Sequence, residues 1–145
     1  MGHHSDVCDE NAVRNVIALT AITQDARDWA GHAACFVPDA HYTHPKGEIV
    51  GVDGIVARSQ AALTPLDSTQ HLVGSVHVVV QGDTAESTAY FVAQHVREAA
   101  EGGRLYVIAG TYRDEFVRLD GAWRISHRRQ TYSWRDGNPD VIVRT

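Results

Sequence analysis

Two residues of this 145-residue chain invite chemistry when set against each other, an aspartate at a helix junction and a histidine opening a strand. Asp25 lies in Gln24-Asp25-Ala26-Arg27-Asp28, where one helical pattern stops and another begins. Apolar helical faces flank it, so its carboxylate can point inward, where a charge needs a partner. On local sequence alone the plainer reading is preferred: aspartate is a favoured N-cap residue, and Asp25 would cap the second helix. His71 stands in Ser68-Thr69-Gln70-His71-Leu72-Val73-Gly74, where the glycine suggests a bend or a close backbone approach. A lone strand histidine is ordinarily structural. Paired with a buried carboxylate, however, an imidazole is held in one tautomer and its protonated form is favoured, as a general base requires.

The elements that would position this pair follow from periodicity. Val13, Val16, Ile17, Thr20 and Ala21 recur at helical spacing behind Asp9 and Glu10, which read as a cap and an acidic first turn. A short second helix carries Trp29, Ala33 and Phe36 on one face and is expected to end at Pro38-Asp39. His41 to His44 read as extended and lead into a Pro/Gly loop. Asp53 then offers an N-cap for a third helix running to about Leu63, before Pro65. After Asp67 β-branched alternation predicts strands over 71–80, 85–97, 104–118 and 122–133. Gln81-Gly82-Asp83, Glu101-Gly102-Gly103 and Leu119-Asp120-Gly121 are tight turns between them, giving an antiparallel meander. Helices first and hairpins second indicate an α+β domain whose sheet packs on the helices around one pocket.

Strand parity places further side chains. Tyr42 and His44 share a face of their segment and would reach the cavity mouth. Ile108, Gly110 and Tyr112 share one face of the third long strand, and Ala122, Arg124, Ser126 and Arg128 one face of the fourth. Gly110 reads equally as room for a ligand or as a kink that curls the sheet. Val76, Val78 and Val80, or alternatively Val73, His77 and Val79, would form an exposed strand face that favours burial between subunits.

Composition narrows the classes. A net charge of −5 without a Lys/Arg stripe argues against nucleic acid as a partner, and no apolar run approaches the roughly 20 residues of a membrane span. The two cysteines, Cys8 and Cys35, and the lack of an apolar leader pattern point to a reducing cytoplasm, with both thiols as packing residues. His32, His41 and His44 lack the supporting carboxylate spacing of a zinc site, so neither metal nor cofactor is expected. Residues 1–8 are expected to be a flexible N-terminus whose two histidines play no part in the site, 9–135 the folded domain and 136–145 a C-terminal tail.

The run from Gln24 to Trp29, Tyr42 or His44 after Pro38-Asp39, and Thr69-Gln70-His71 before an apolar pair and Gly74 together resemble scytalone dehydratase and the SnoaL-like group of the nuclear-transport-factor-2-like superfamily. The chain is also similar to the hexachlorocyclohexane dehydrochlorinases, from about Asn11 to Tyr132, including Asp120-Gly121-Ala122-Trp123-Arg124-Ile125. The resemblance implies a cone-shaped curved mixed sheet with helices over its open side, and an Asp/His dyad with His71 as base and Asp25 as its orienter. It implies a substrate-binding role for His95, at the place of a late histidine in the second long strand. Arg128 falls near the last-strand arginine of the dehydrochlorinases. The tyrosine of scytalone dehydratase is Gln24 here, and two of its polar residues correspond to Gly110 and Tyr112, so scytalone itself is not the expected substrate.

The expected function is a cofactor-independent lyase, of dehydratase or dehydrohalogenase type, acting on a small hydrophobic cyclic substrate. Asp25 and His71 are its dyad, and Tyr42, His44, His95, Tyr112 and Arg128 bind substrate. Isomerisation or cyclisation of a polycyclic ketone would use the same dyad, and a non-catalytic binding or assembly domain is the reading from another class. By resemblance the domain would be a homo-oligomer, dimer or trimer.

Overall fold

The first helix is set by an apolar stripe. Val13, Ile17 and Thr20 are each at most 1 % exposed, and they lie at three- and four-residue spacing along α1 (His3–Asp25). The computed structural model describes residues 3–143, with side chains from Asp6. Of the expected terminal segments, residues 1, 2, 144 and 145 therefore lie outside the described chain. α1 begins at His3, so Asp9 is not its cap. The Asp9 carboxylate instead accepts from Arg118 (2.8 Å) and from the Trp123 indole (3.1 Å), pinning the helix to the far hairpin.

α2 (Trp29–Ala33) is shorter than its apolar face suggested, because Phe36 opens β1 (Phe36–His44). Pro38 lies inside that strand and not at a helix end. The pairing of β1 with its neighbour shifts register between Phe36 and His41, a stretch where the proline's missing donor costs no ladder bond. The segment read as a Pro/Gly loop folds back as β2 (Gly47–Val50), pairing Tyr42 with Ile49. α3 (Val52–Leu63) starts from Gly51, with Asp53 in its first turn.

The meander follows as β3 (Ser68–Gln81), β4 (Thr84–Val96), β5 (Leu105–Leu119) and β6 (Ala122–Gly137). Strand order is β2-β1-β6-β5-β4-β3, antiparallel except that β1 runs parallel to β6, so the sheet is mixed, curved and unclosed. The α+β cone is thus present, with all three helices in the first half of the chain and α1 packed against β3. Beyond β6 a 3-10 turn, Pro139–Val141, buries Val141 completely, while Asn138 donates to the carbonyls of Glu101 and Gly103. Residues 136–142 are therefore packed against the domain and do not trail from it as a tail.

Bulges curl the sheet and redirect side chains. In β3 the register shifts between Gly74 and His77, and Ser75 takes φ 51°. Val76, Val78 and Val80 then pack on the core, while Val79 is exposed on the convex face. In β6 a shift opposite Glu115/Phe116 reverses parity at Ser126. Trp123, Ile125 and Arg128 are the buried residues there, and the expected set of Ala122, Arg124, Ser126 and Arg128 does not share a face. Gly110 sits at another shift, where an added Cβ would lie 1.9 Å from the Thr131 carbonyl oxygen. Its role is close backbone approach at a kink. It leaves no room for a ligand.

Candidate active site

The site begins where α1 ends. Arg27 adopts φ 58°; its amide donates to the Gln24 carbonyl, and that of Asp28 to the Thr23 carbonyl, a paired closure that satisfies the last turn. Asp25 thereby becomes the last helical residue, where the helix dipole disfavours a carboxylate. It does not cap the next helix. Asp28 does, accepting from Gly31 N at 2.9 Å. The Asp25 side chain is left to turn toward β3.

There it meets three donors. Its Oδ1 lies 2.7 Å from His71 Nδ1 and accepts from the Thr69 hydroxyl at 3.1 Å, while Oδ2 accepts from His71 N at 2.9 Å. Arg27 donates to the Thr69 oxygen at 2.8 Å and so fixes that hydroxyl's proton toward Asp25. Burial pushes the Asp25 carboxyl upward, but the His71 ring, the His71 amide and Thr69 together outweigh it and hold the group below its ordinary value. A carboxylate facing Nδ1 requires the proton on that nitrogen. Nε2 then carries the lone pair, and His71, with its side chain only 8 % exposed, lines the cavity.

That cavity, about 190 Å³, lies between the concave face of the sheet, α3 and the C-terminal turn. Phe91, Ala93, Ile108, Leu63 and Ile142 supply apolar walls. His95, 6.1 Å from the His71 ring, donates Nδ1–H to the Tyr106 carbonyl (3.1 Å), so its Nε2 is an acceptor. Burial, then the neighbouring His71, lowers its pKa to about 4 and keeps it neutral. Tyr112 is stacked on Phe91 with centroids 4.3 Å apart, and Arg128 lies 3.9 Å from its ring centre on a cation–π contact. Burial raises its phenol and keeps it a donor. Tyr42 donates to Gln130 Oε1, leaving that amide's nitrogen for the cavity.

Of the seven residues expected at the site, His71, Tyr42, His95 and Tyr112 line one cavity, with Asp25 behind His71. The structure does not bring His44 and Arg128 to its wall. His44 stands at the rim, its ring 6.2 Å from that of Tyr42, accepting from Lys46 N at 3.2 Å. Arg128, 1 % exposed, forms a two-pronged pair with Asp114 at 2.9 and 2.8 Å beneath Tyr112.

Sequence reasoning missed Arg58, Lys46, Gln130, Tyr132 and Arg135, which complete the lining, and gave Gln24 no role in it. Three of these were within reach of it: Arg58 is one helical turn from Ala62 on α3, and Gln130 and Tyr132 alternate with Arg128 once the bulge is known. His32, weighed only as a metal ligand, is fully buried. Its Nδ1 donates to Thr23 Oγ1 (3.0 Å), whose own proton goes to the Leu19 carbonyl, so Nε2 accepts from the Gln24 amide at 3.3 Å. Burial first, then Arg128 and His71, lower its pKa to about 4. The neutral ring thus leaves the Gln24 amide oxygen for the cavity.

The SnoaL-like domain matches residues 5–129. No curated protein sequence matches the chain. Among solved structures it is similar to a putative scytalone dehydratase from Novosphingobium aromaticivorans, at 20% identity and TM-score 0.84 over 93% of this chain and 91% of that one. The hexachlorocyclohexane dehydrochlorinase LinA-type3 from Novosphingobium barchaimii is 18% identical, with TM-score 0.80 over 96% of each chain. A single-substitution variant of Rv3472 from Mycobacterium tuberculosis, a protein of unknown function, is 24% identical, with TM-score 0.80 over 99% of this chain and 83% of that one. Identities this low speak for the fold. Among the described residues no helix is long and apolar enough to cross a membrane.

Proposed function

We propose, from the premise that the chain belongs to the SnoaL-like domain family, that it is a lyase which removes a carbon-bound proton and expels a β-hydroxyl or halide without a cofactor. The observation that carries this reading is the 2.7 Å contact between Asp25 and His71 at the wall of a cavity that mixes apolar and polar side chains. His71 Nε2 takes the proton from carbon next to an activating group, and Asp25 stabilises the imidazolium that results. The electron pair left on carbon forms the double bond as the leaving group departs with its own pair. A positioned base contributes roughly 10²- to 10⁴-fold, so placement and polar stabilisation supply the rest. The Tyr112 phenol and the Gln130 amide are the donors placed to meet a leaving oxygen or an enolate. Neutral His95 accepts from a substrate hydroxyl.

The dehydratase and dehydrochlorinase names among the structural relatives support elimination over rearrangement. The test is product mass from a panel of cyclic β-hydroxy ketones and halogenated rings. Loss of water or hydrogen halide in wild type, absent in His71→Ala, is expected; a product of unchanged mass would replace elimination with isomerisation. Exposed Leu72, Tyr90, Val92 and Trp134 on the convex face support self-association there. Size-exclusion chromatography of Trp134→Arg tests it, a smaller species being the expected result and an unchanged elution removing that face from the reading.

A further inference from the structure

The chain carries a formal net charge of −5, yet three cations stand around the cavity with no acidic residue among its lining: Lys46, Arg58 and Arg135. They come from three separate elements, the β1–β2 turn, α3 and the end of β6. Elsewhere Arg104, Arg118, Arg128 and Arg129 each have a carboxylate within 4 Å. Among the described residues, Arg14, Arg27, Arg97, Arg113 and Arg124, scattered over the fold, do not, and neither does any of the three at the cavity. Nor do the two guanidiniums drift freely: Arg58 lies 5.6 Å from the ring centre of Tyr42 and Arg135 5.6 Å from that of Tyr132, both rings of the cavity wall. Arg58 is half-buried. The group they surround feels them, since after burial the largest influences lowering the pKa of His44 at the rim are Arg58 and Lys46.

Lys46 and Arg135 are exposed at the mouth, but half-buried Arg58 is a partly desolvated cation without a counter-ion, which is costly in a folded protein, and a planar guanidinium matches a carboxylate in two-pronged geometry. The opposite wall, with His71 and the aromatic rings, accepts the uncharged part of a ligand. We infer that the substrate is an acid, a cyclic or aromatic carboxylate whose ring fills the cavity beside His71 and whose carboxylate pairs with Arg58, Arg135 and Lys46 at the mouth. This rests on the cavity being the site of proton abstraction. It narrows the substrate from any small hydrophobic ring to an anionic one, held by its charged end with the reacting carbon turned inward.

The experiment is calorimetric binding of 2-naphthoate and of its uncharged counterpart 2-naphthalenemethanol, which needs no turnover. Wild type is expected to prefer the carboxylate by about 10-fold or more, as a charge-assisted contact implies. The preference should shrink as salt is raised and in Arg58→Gln, and close in the Lys46→Gln, Arg58→Gln, Arg135→Gln triple variant, with the alcohol titrated alongside as the reference. Equal affinity in wild type, or a preference that survives the triple variant, overturns the inference. A wild type that keeps the preference but shows no His71-dependent chemistry retires the lyase reading alone. Chemistry without the preference retires the acid alone.

Discussion

The concave face of one sheet does two different things at its two ends. Toward the β5–β6 turn its inward residues are Phe116, Trp123, Ile125, Ala85 and Ala89, closed over by Val13, Ile17 and Ile55 into a dry core. Toward the other end the same strands turn inward Thr69, His71, His95, Tyr106 and Tyr112, and the space stays open as the cavity. Two charged pairs differ in a related way. Arg128 and Asp114 are both essentially unexposed, and each carboxylate oxygen meets one guanidinium nitrogen. Asp25 and His71 are also close, but only one imidazole nitrogen is committed, and the ring borders the cavity. A two-pronged pair sealed away from the cavity marks a structural role, whereas one unspent nitrogen at a cavity wall is what a base requires.

The largest effects should separate the two pairs by kind. Asp114→Ala leaves a buried guanidinium without its partner and is expected to cost about 3–5 kcal/mol in urea unfolding. His71→Ala should cost about 1 kcal/mol or less in the same experiment, because Asp25 keeps Thr69 and a backbone amide, yet lower turnover by roughly 10²- to 10⁴-fold. If both variants lose stability alike, the distinction between the pairs collapses. Gly110→Ala sharpens the same comparison: its new Cβ would strike the Thr131 carbonyl, so a loss of about 1–3 kcal/mol is expected with ligand binding otherwise retained.

A gentler effect is expected with pH. His32 and His95 are held neutral to about pH 4, against an ordinary value of 6.5. Between those values the unfolded chain binds protons that the native one refuses, so stability rises with pH through the window and falls as pH drops from 6.5 toward 4. His32→Gln should flatten that slope, read as the urea midpoint at a series of pH values. Smallest is the thiol contrast. Burial pushes Cys35 up to about 11, so a thiol reagent at mildly alkaline pH should label exposed Cys8 and reach Cys35 only on unfolding.

Much of this architecture is legible in the sequence. The three helices and four long strands rest on periodicity and on turn residues such as Asp120-Gly121, both at positive φ in the tight hairpin. Asp25 and His71 were suggested as a pair, although helix-cap preference alone favoured the plainer role that belongs to Asp28. What could not be read from periodicity were the places where it breaks. The Ser126 bulge reverses β6 and sends Arg128 under Tyr112. The parallel pairing of β1 with β6 lets a strand run through Pro38. The cations at the mouth come from three elements distant in sequence, and no local pattern joins them.

The central claim is that His71 removes a proton from carbon. Deuterium uptake from heavy water into a panel of cyclic ketones and β-hydroxy ketones, followed by mass spectrometry, tests it without a known leaving group. The account predicts uptake or elimination by wild type, slower in Asp25→Asn and absent in His71→Ala; uptake that persists undiminished in His71→Ala would contradict it.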